Sequence, residues 1–293
     1  MAIRGVIADV VVPYSSDETI DWDSLEREVR FLNDCGVQGF SVGGVLGGTL
    51  GASPEELASL CGEVKRSAKA PVCAVLFPDA TPEALEMVRA VNDAGADVVA
   101  VAQPHYLSQP GTQGLMEMFA ELKHATRCPL MVADCLGGSL LGLQAIQALV
   151  TKHLADGVLE SADMHVLVDL LCLDLDVPVY SGIEDLHYLA FVLGADGVIS
   201  NFATVCPAAC LELYRAVQNA DHASARKHHE RLLRVWRSLN WGVEQEARLR
   251  SALMSQGRPV GPARSPYHHL PPEASRQITG ALREEGIASL PPQ

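Results

Sequence analysis

A single carboxylate interrupts an otherwise apolar run near the start of the chain, Gly5-Val6-Ile7-Ala8-Asp9-Val10-Val11-Val12. Burying an aspartate among such residues is costly unless it is paired or protonated. Desolvation raises its pKa, and a carboxyl that titrates near neutrality suits a general acid or base. An Asp9 that merely hydrogen-bonds a neighbouring loop is the competing reading. His105 and Tyr106 follow an apolar run that ends at Gln103. His105 could serve as acid, base or ligand, or simply pack a loop. Asp134 and Cys135 close another run, followed by Leu136-Gly137-Gly138-Ser139. Cys135 would be a nucleophile only where a cation lowers its pKa, and is otherwise a buried thiol. Glu160 and Ser161 follow Leu159, and period-2 alternation turns Glu160 away from the side that Leu159 faces. Ser181, Ser200, Asn201 and Thr204 offer polar groups at the ends of the last two runs.

Asp9, Asp134, Glu160 and His105 are ligand types for Mg or Zn. The spacing, however, contains no HxH, no HExxH and no tight acidic motif. Neither a metal nor a cofactor is therefore expected. His222, His228, His229, His268 and His269 lie late in the chain and read as a solvated helix face and a loop.

These residues need a scaffold that gathers strand ends. Apolar strands alternate with amphipathic helices eight times. The strands are Gly5–Val12, Gly39–Gly43, Pro71–Leu76, Asp97–Ala102, Pro129–Ala133, Gly157–Leu159, Pro178–Ser181 and Gly197–Ser200. Helices are expected over Asp23–Cys35, from Ser53-Pro54-Glu55-Glu56, from Thr81-Pro82-Glu83-Ala84, and over Gly114–Thr126, Leu141–Lys152, Asp163–Leu173, Asp185–Leu193 and Pro207–Val217. Ser53 before Pro54 and two glutamates is a strong helix start. Near-continuous apolar strands should be buried on both faces, as in a parallel sheet covered by helices. The pattern predicts an α/β fold, a (β/α)8 TIM barrel over residues 1–219. The open doubly wound alternative lacks a GxGxxG after the first strand. Residues 220–293 read as a C-terminal helical region packed on the barrel, helical over Ala223–Ala252 and near Pro272–Glu285.

The chain has 293 residues, 48% hydrophobic and 20% charged, with net charge −14. Such a charge argues against nucleic acid and anionic membranes as partners. No run of about 20 apolar residues is present, so no membrane span is expected. Eight cysteines without a CxxC pair read as reduced thiols, and no signal-peptide layout opens the chain, which points to the cytoplasm. A small-molecule substrate is the expected partner. Self-association into a dimer or tetramer, through the appendage or the barrel flank, is the accompanying expectation.

The motifs resemble the dihydrodipicolinate synthase and N-acetylneuraminate lyase family of aldolase barrels. The similarity rests on Gly39 to Glu56, on Ala94-Gly95-Ala96-Asp97 with Pro104-His105-Tyr106, and on Leu193-Gly194-Ala195-Asp196-Gly197-Val198-Ile199-Ser200. Pro207 and Gly261 with Arg264, Pro266 and Tyr267 extend it. The resemblance implies a site at the C-terminal strand ends. There a Gly-Thr-Thr-Gly-Glu loop holds a keto acid's carboxylate, a tyrosine shuttles protons and a lysine forms a Schiff base. Tyr106 matches a tyrosine of the proton relay, to which a neighbouring subunit can contribute.

This chain departs from that pattern. The loop reads Gly44-Val45-Leu46-Gly47-Gly48, the fifth strand ends in Ala133 in place of tyrosine, and the sixth in Leu159 in place of lysine. Leucine has no amine with which to trap a carbonyl. All five lysines, Lys65, Lys69, Lys123, Lys152 and Lys227, are expected on helices, away from the mouth. One expectation is a repurposed lyase-fold enzyme acting on a small carbonyl or carboxylate compound. Asp9, His105 and Tyr106 would be its catalytic groups, and Gly44, Val45, Leu46, Ala133, Asp134, Cys135, Leu159, Ser181 and Ser200 would line its pocket. The alternative is a catalytically inactive barrel kept for binding or assembly, its mouth filled by Val45, Leu46 and Leu159. A Schiff-base aldolase would need a lysine brought in from a helix.

Overall fold

The computed structural model describes residues 3–104, 108–136, 138–173, 175–239, 244–267 and 270–287. Eight parallel strands close into a barrel in chain order. They are β1 (Gly5–Asp9), β2 (Gly39–Val42), β3 (Val72–Leu76), β4 (Val98–Ala102), β5 (Leu130–Asp134), β6 (Gly157–Glu160), β7 (Val179–Ser181) and β8 (Gly197–Ser200), and β8 pairs back to β1. The first strand is shorter than the apolar run suggests. Val10 and Val12 leave the ladder and donate to the carbonyls of Ser41 and Gly47, each at 2.9 Å.

The covering helices are α1 (Trp22–Cys35), α2 (Pro54–Ser67), α3 (Thr81–Asp93), α4 (Thr112–Ala125), α5 (Leu143–Thr151), α6 (Met164–Cys172), α7 (His187–Val192), α8 (Asn201–Val205) and α9 (Pro207–Gln218). Local chemistry sets several of their ends. Asp21 accepts from the Ser24 amide at 3.0 Å to start α1, and Gly36 ends it in the left-handed region at φ 89°. Ser53 caps α2 as its sequence announces. The seventh helix is preceded by a 3₁₀ turn, Glu184–Leu186. The short α8 stands between β8 and the helix that begins at Pro207. Beyond these lie α10 (His222–Leu239), α11 (Gln245–Ser255) and α12 (Pro272–Glu284). The single helix expected over Ala223–Ala252 is therefore two, with 240–243 outside the described residues.

Side chains divide by strand parity. Ile7, Cys73, Val75, Ala100, Ala102, Met131, Ala133, Leu159, Tyr180 and Ile199 fill the barrel interior. Alternate residues such as Val6, Ala8, Val99 and Val132 join the helices in a second, larger core. Leu232, Val235, Leu239, Leu249, Leu253, Ile278 and Leu282 belong to that same core, so the C-terminal helices share the barrel's packing.

The floor, where strands begin, is tied by a repeated device. Gln38, Asp97, Asp156 and Asp196 each precede an even-numbered strand. Each side chain accepts a backbone N–H from the first or second residue of the preceding strand, from Val6, Val72, Leu130 and Val179 respectively. Lys65 pairs with Asp97, Lys123 with Asp156 and Arg4 with Asp196. Lys69 and Lys152 fall just past the ends of α2 and α5, not within them. Chain order places all four of these lysines at the floor, because each helix ends there before its next strand. Lys227 lies on α10.

One ion pair joins the far C-terminal segment to the first helix. Arg258 and Glu28 are both buried and salt-bridged, with the Arg258 Nε bond at 2.9 Å. Arg258 also donates to the Thr204 carbonyl at 2.7 Å and lies 4.5 Å from the Phe31 ring centroid.

Candidate active site

A cavity of about 300 Å³ opens at the C-terminal ends of the strands. It follows from parity. The next inward position above the interior layer is Asp9 on β1, Phe77 after β3, Cys135 after β5, Ser161 after β6, Gly182 after β7 and Asn201 after β8, and all six line the cavity. Leu159, Val75 and Ile199 lie among the lining residues from the layer below, while Gly44, Val45 and Leu46 form a wall. Trp236 and Gln245 complete the rim from α10 and α11.

Asp9 is 4% exposed. Its Oδ1 accepts from the Ser41 hydroxyl at 2.6 Å, and Ser41 is its only side-chain donor among the described residues. Burial pushes its carboxyl up to about 6, against the opposing pull of that hydrogen bond. Register explains the pairing, since Asp9 on β1 faces Ser41 on β2. The Asp9 carbonyl is held from the other side by the Thr204 hydroxyl at 2.6 Å. The carboxylate is thus fixed while Oδ2 stays available to the cavity.

The turn after β2 is built to admit it. Val45–Gly47 forms one 3₁₀ turn, and Gly48 ends it at φ 85°. Tyr14 donates to the Gly48 carbonyl at 2.7 Å. Arg250, buried and paired with Glu246, packs against the Gly48 side of this turn. A Cβ at Gly44 would overlap the Asp9 carboxylate, coming 2.6 Å from Cγ. Gly44→Ala should therefore displace Asp9 and cost about 1–3 kcal/mol of stability, as overpacking does. Urea unfolding of the variant checks this, and an unchanged midpoint would show that Asp9 has room to move.

Glu184 and Asp185 also line the cavity, which the sequence pattern hid because they look like ordinary carboxylates at a helix start. Glu184 is buried and accepts from Ser200 Oγ at 2.7 Å and from the Asn201 amide at 2.5 Å. Burial pushes it up to about 7. It caps α8, the helix that carries Thr204 to Asp9. His187 lies behind it, fully buried against Phe202, and burial drives its pKa down to about 3.

Of the other candidates, Cys135 lines the cavity and the remaining described ones fall elsewhere. Ala133 is interior but one layer below the cavity. Asp134 is turned outward and accepts from the Leu141 amide at 3.0 Å. Ser181 accepts from the Ile183 amide and Ser200 bonds Glu184, so neither lines the cavity. Gln103 donates to the Ser139 carbonyl at 2.6 Å. Glu160 points outward, as its alternation with Leu159 requires, and accepts two amides of the α6 entrance, each at 2.8 Å. Its burial pushes it up to about 8. Cys135 lies 3.6 Å from Ser161 Oγ, and burial pushes its thiol up to about 12, so it is no thiolate near neutrality. His105 and Tyr106 lie outside the described residues. Among the described residues no three His, Cys, Asp or Glu side chains gather as a ligand set, and no helix is long and apolar enough to cross a membrane.

Fold and cavity together define a (β/α)8 barrel with its pocket at the strand C-termini, the arrangement of barrel enzymes. The chain belongs to the dihydrodipicolinate synthetase family, whose profile matches residues 2–285. A 4-hydroxy-tetrahydrodipicolinate synthase of Methanothrix thermoacetophila is 27% identical over 287 residues, spanning 95% of this chain and 96% of that protein. Dihydrodipicolinate synthase from Aquifex aeolicus superposes with a TM-score of 0.88 at 23% identity, covering 98% of this chain and 99% of its own. N-acetylneuraminate lyase from Fusobacterium nucleatum does so at 0.87 and 18%, covering 99% of each chain. The fold is that of a lyase family, and its chemistry here rests on the side chains present.

Proposed function

We propose that this barrel is an enzyme of lyase type that acts on a small carbonyl compound by general acid–base catalysis, without a lysine Schiff base. The observation that carries the reading is Asp9. It is a fixed, buried carboxyl poised near neutrality at an open cavity. Asp9 Oδ2 would take a proton from a carbon or hydroxyl next to the substrate carbonyl and return it to the product. A positioned group of this kind contributes about 10²–10⁴-fold to rate. Leu159 occupies the lining position of β6, so an amine has no place there without substitution. An open cavity lined by Asp9 speaks against the filled mouth expected of an inactive barrel.

Two measurements test this. In deuterium oxide, the wild-type protein should speed exchange of protons next to the carbonyl in a panel of small aldehydes and ketones, followed by NMR. Borohydride reduction with pyruvate or with a neutral ketone should leave the wild-type mass unchanged, while Leu159→Lys should gain an adduct with the neutral ketone. A pyruvate adduct on the wild-type protein would sink the proposal.

A further inference from the structure

Every charged side chain that lines the cavity among the described residues is a carboxylate: Asp9, Glu184 and Asp185. Lys, Arg and His are absent from that described lining. Arg250, Arg258 and Arg264 are paired with Glu246, Glu28 and Glu56, and none of them lines it. A ligand carboxylate entering here would lose its hydration and meet negative charge, with no cation among the described lining residues to offset either cost. The net charge of −14 adds to that repulsion at a distance.

The opposite charge finds a prepared place. Asp9 is more than nine-tenths buried, and one of its oxygens has no donor among the described residues. The hydroxyl of Ser41 holds the other oxygen, so the carboxylate cannot turn away. The aromatic side chains of Phe77 and Trp236 also line the space, and aromatic faces attract cations. Val45, Leu46, Val75, Leu159, Ile183 and Ile199 supply an apolar wall for a short carbon chain.

We infer that the substrate of this site carries a cationic nitrogen on a short apolar skeleton, and that the negative field of the lining carboxylates, Asp9 foremost, recognises it while Asp9 Oδ2 stays free for the proton. The inference rests on the acid–base reading above and names the class of carbonyl compound that reading leaves open. It reverses the charge preference of a pocket that grips a keto acid.

A matched series tests it. 3-Methylbutanamidine, 3-methylbutanamide and 3-methylbutanoate share one shape and differ in charge. Their affinities are measured by calorimetry at pH 8 and low salt on the full chain. The amidinium should bind at least about tenfold more tightly than the carboxylate, with the amide between them. Asp9→Asn should bring the three within about twofold of one another. Asp185→Asn, at an exposed position, should narrow the spread and serves if the Asp9 variant folds poorly. Equal or tighter carboxylate binding, or no binding by any of the three, would overturn the inference. Binding is read without turnover, so the two proposals can fail separately. Exchange activity that depends on Asp9, with no charge preference, would leave the chemistry standing and remove only this substrate class.

Discussion

Asp9→Asn is expected to make the protein more stable and less active at once. The wild-type carboxyl titrates at about 6 in the folded chain and at its ordinary 3.8 when exposed. The folded state therefore binds the proton more readily. Stability should fall as pH rises from about 4 to about 6 and stay lower above that. At about 1.4 kcal/mol per pH unit, the ionised group costs roughly 3 kcal/mol above pH 6. Asparagine keeps the shape and removes the charge. The variant should gain up to roughly 3 kcal/mol at pH 8 and almost nothing near pH 3, where the wild-type carboxyl is mostly protonated in both states. Its proton-exchange rate should drop about 10²–10⁴-fold. Urea unfolding at the two pH values, with exchange followed by NMR, checks both halves. A variant no more stable than wild type at pH 8 would mean that Asp9 is not desolvated.

Arg258→Ala should destabilise the fold by about 3–5 kcal/mol, because it leaves the Glu28 carboxylate buried without its partner. Glu28→Ala should cost a similar amount. Replacing both, as Arg258→Met with Glu28→Leu, should cost much less than the two single changes together, since no charge is then left unpaired. Denaturant midpoints of the three variants measure this coupling. Additive losses would show that the two groups act independently. The same substitution frees the Thr204 carbonyl, whose residue holds the Asp9 backbone. Arg258→Ala should therefore also lower catalysis, although it touches nothing in the cavity.

The barrel was legible because its signals are local. Eight apolar runs, the cap at Ser53 and the left-handed stop at Gly36 each declare themselves within a few residues. The site was legible only where strand parity could be read. Alternation placed Leu159 inward and Glu160 outward, and the same rule turns Asp134, Ser181 and Ser200 outward while sending Ser161 and Asn201 to the cavity. Asp9 was visible because a carboxylate in an apolar strand is energetically conspicuous. Trp236 and Gln245 were not, since they reach the rim through long-range packing of the C-terminal helices. The role of Glu184 was hidden too, because the short helix it caps leaves no periodic trace.

Four of the five lysines gather at the barrel floor, so a Lys227→Arg variant of this protein can be handled in one orientation. Reagents that couple to amines would attach a sensor surface or a dye through Lys65, Lys69, Lys123 or Lys152, at the end remote from the cavity. A chip prepared that way would present the mouth of the barrel to solution, and small molecules could be screened on it without masking Asp9.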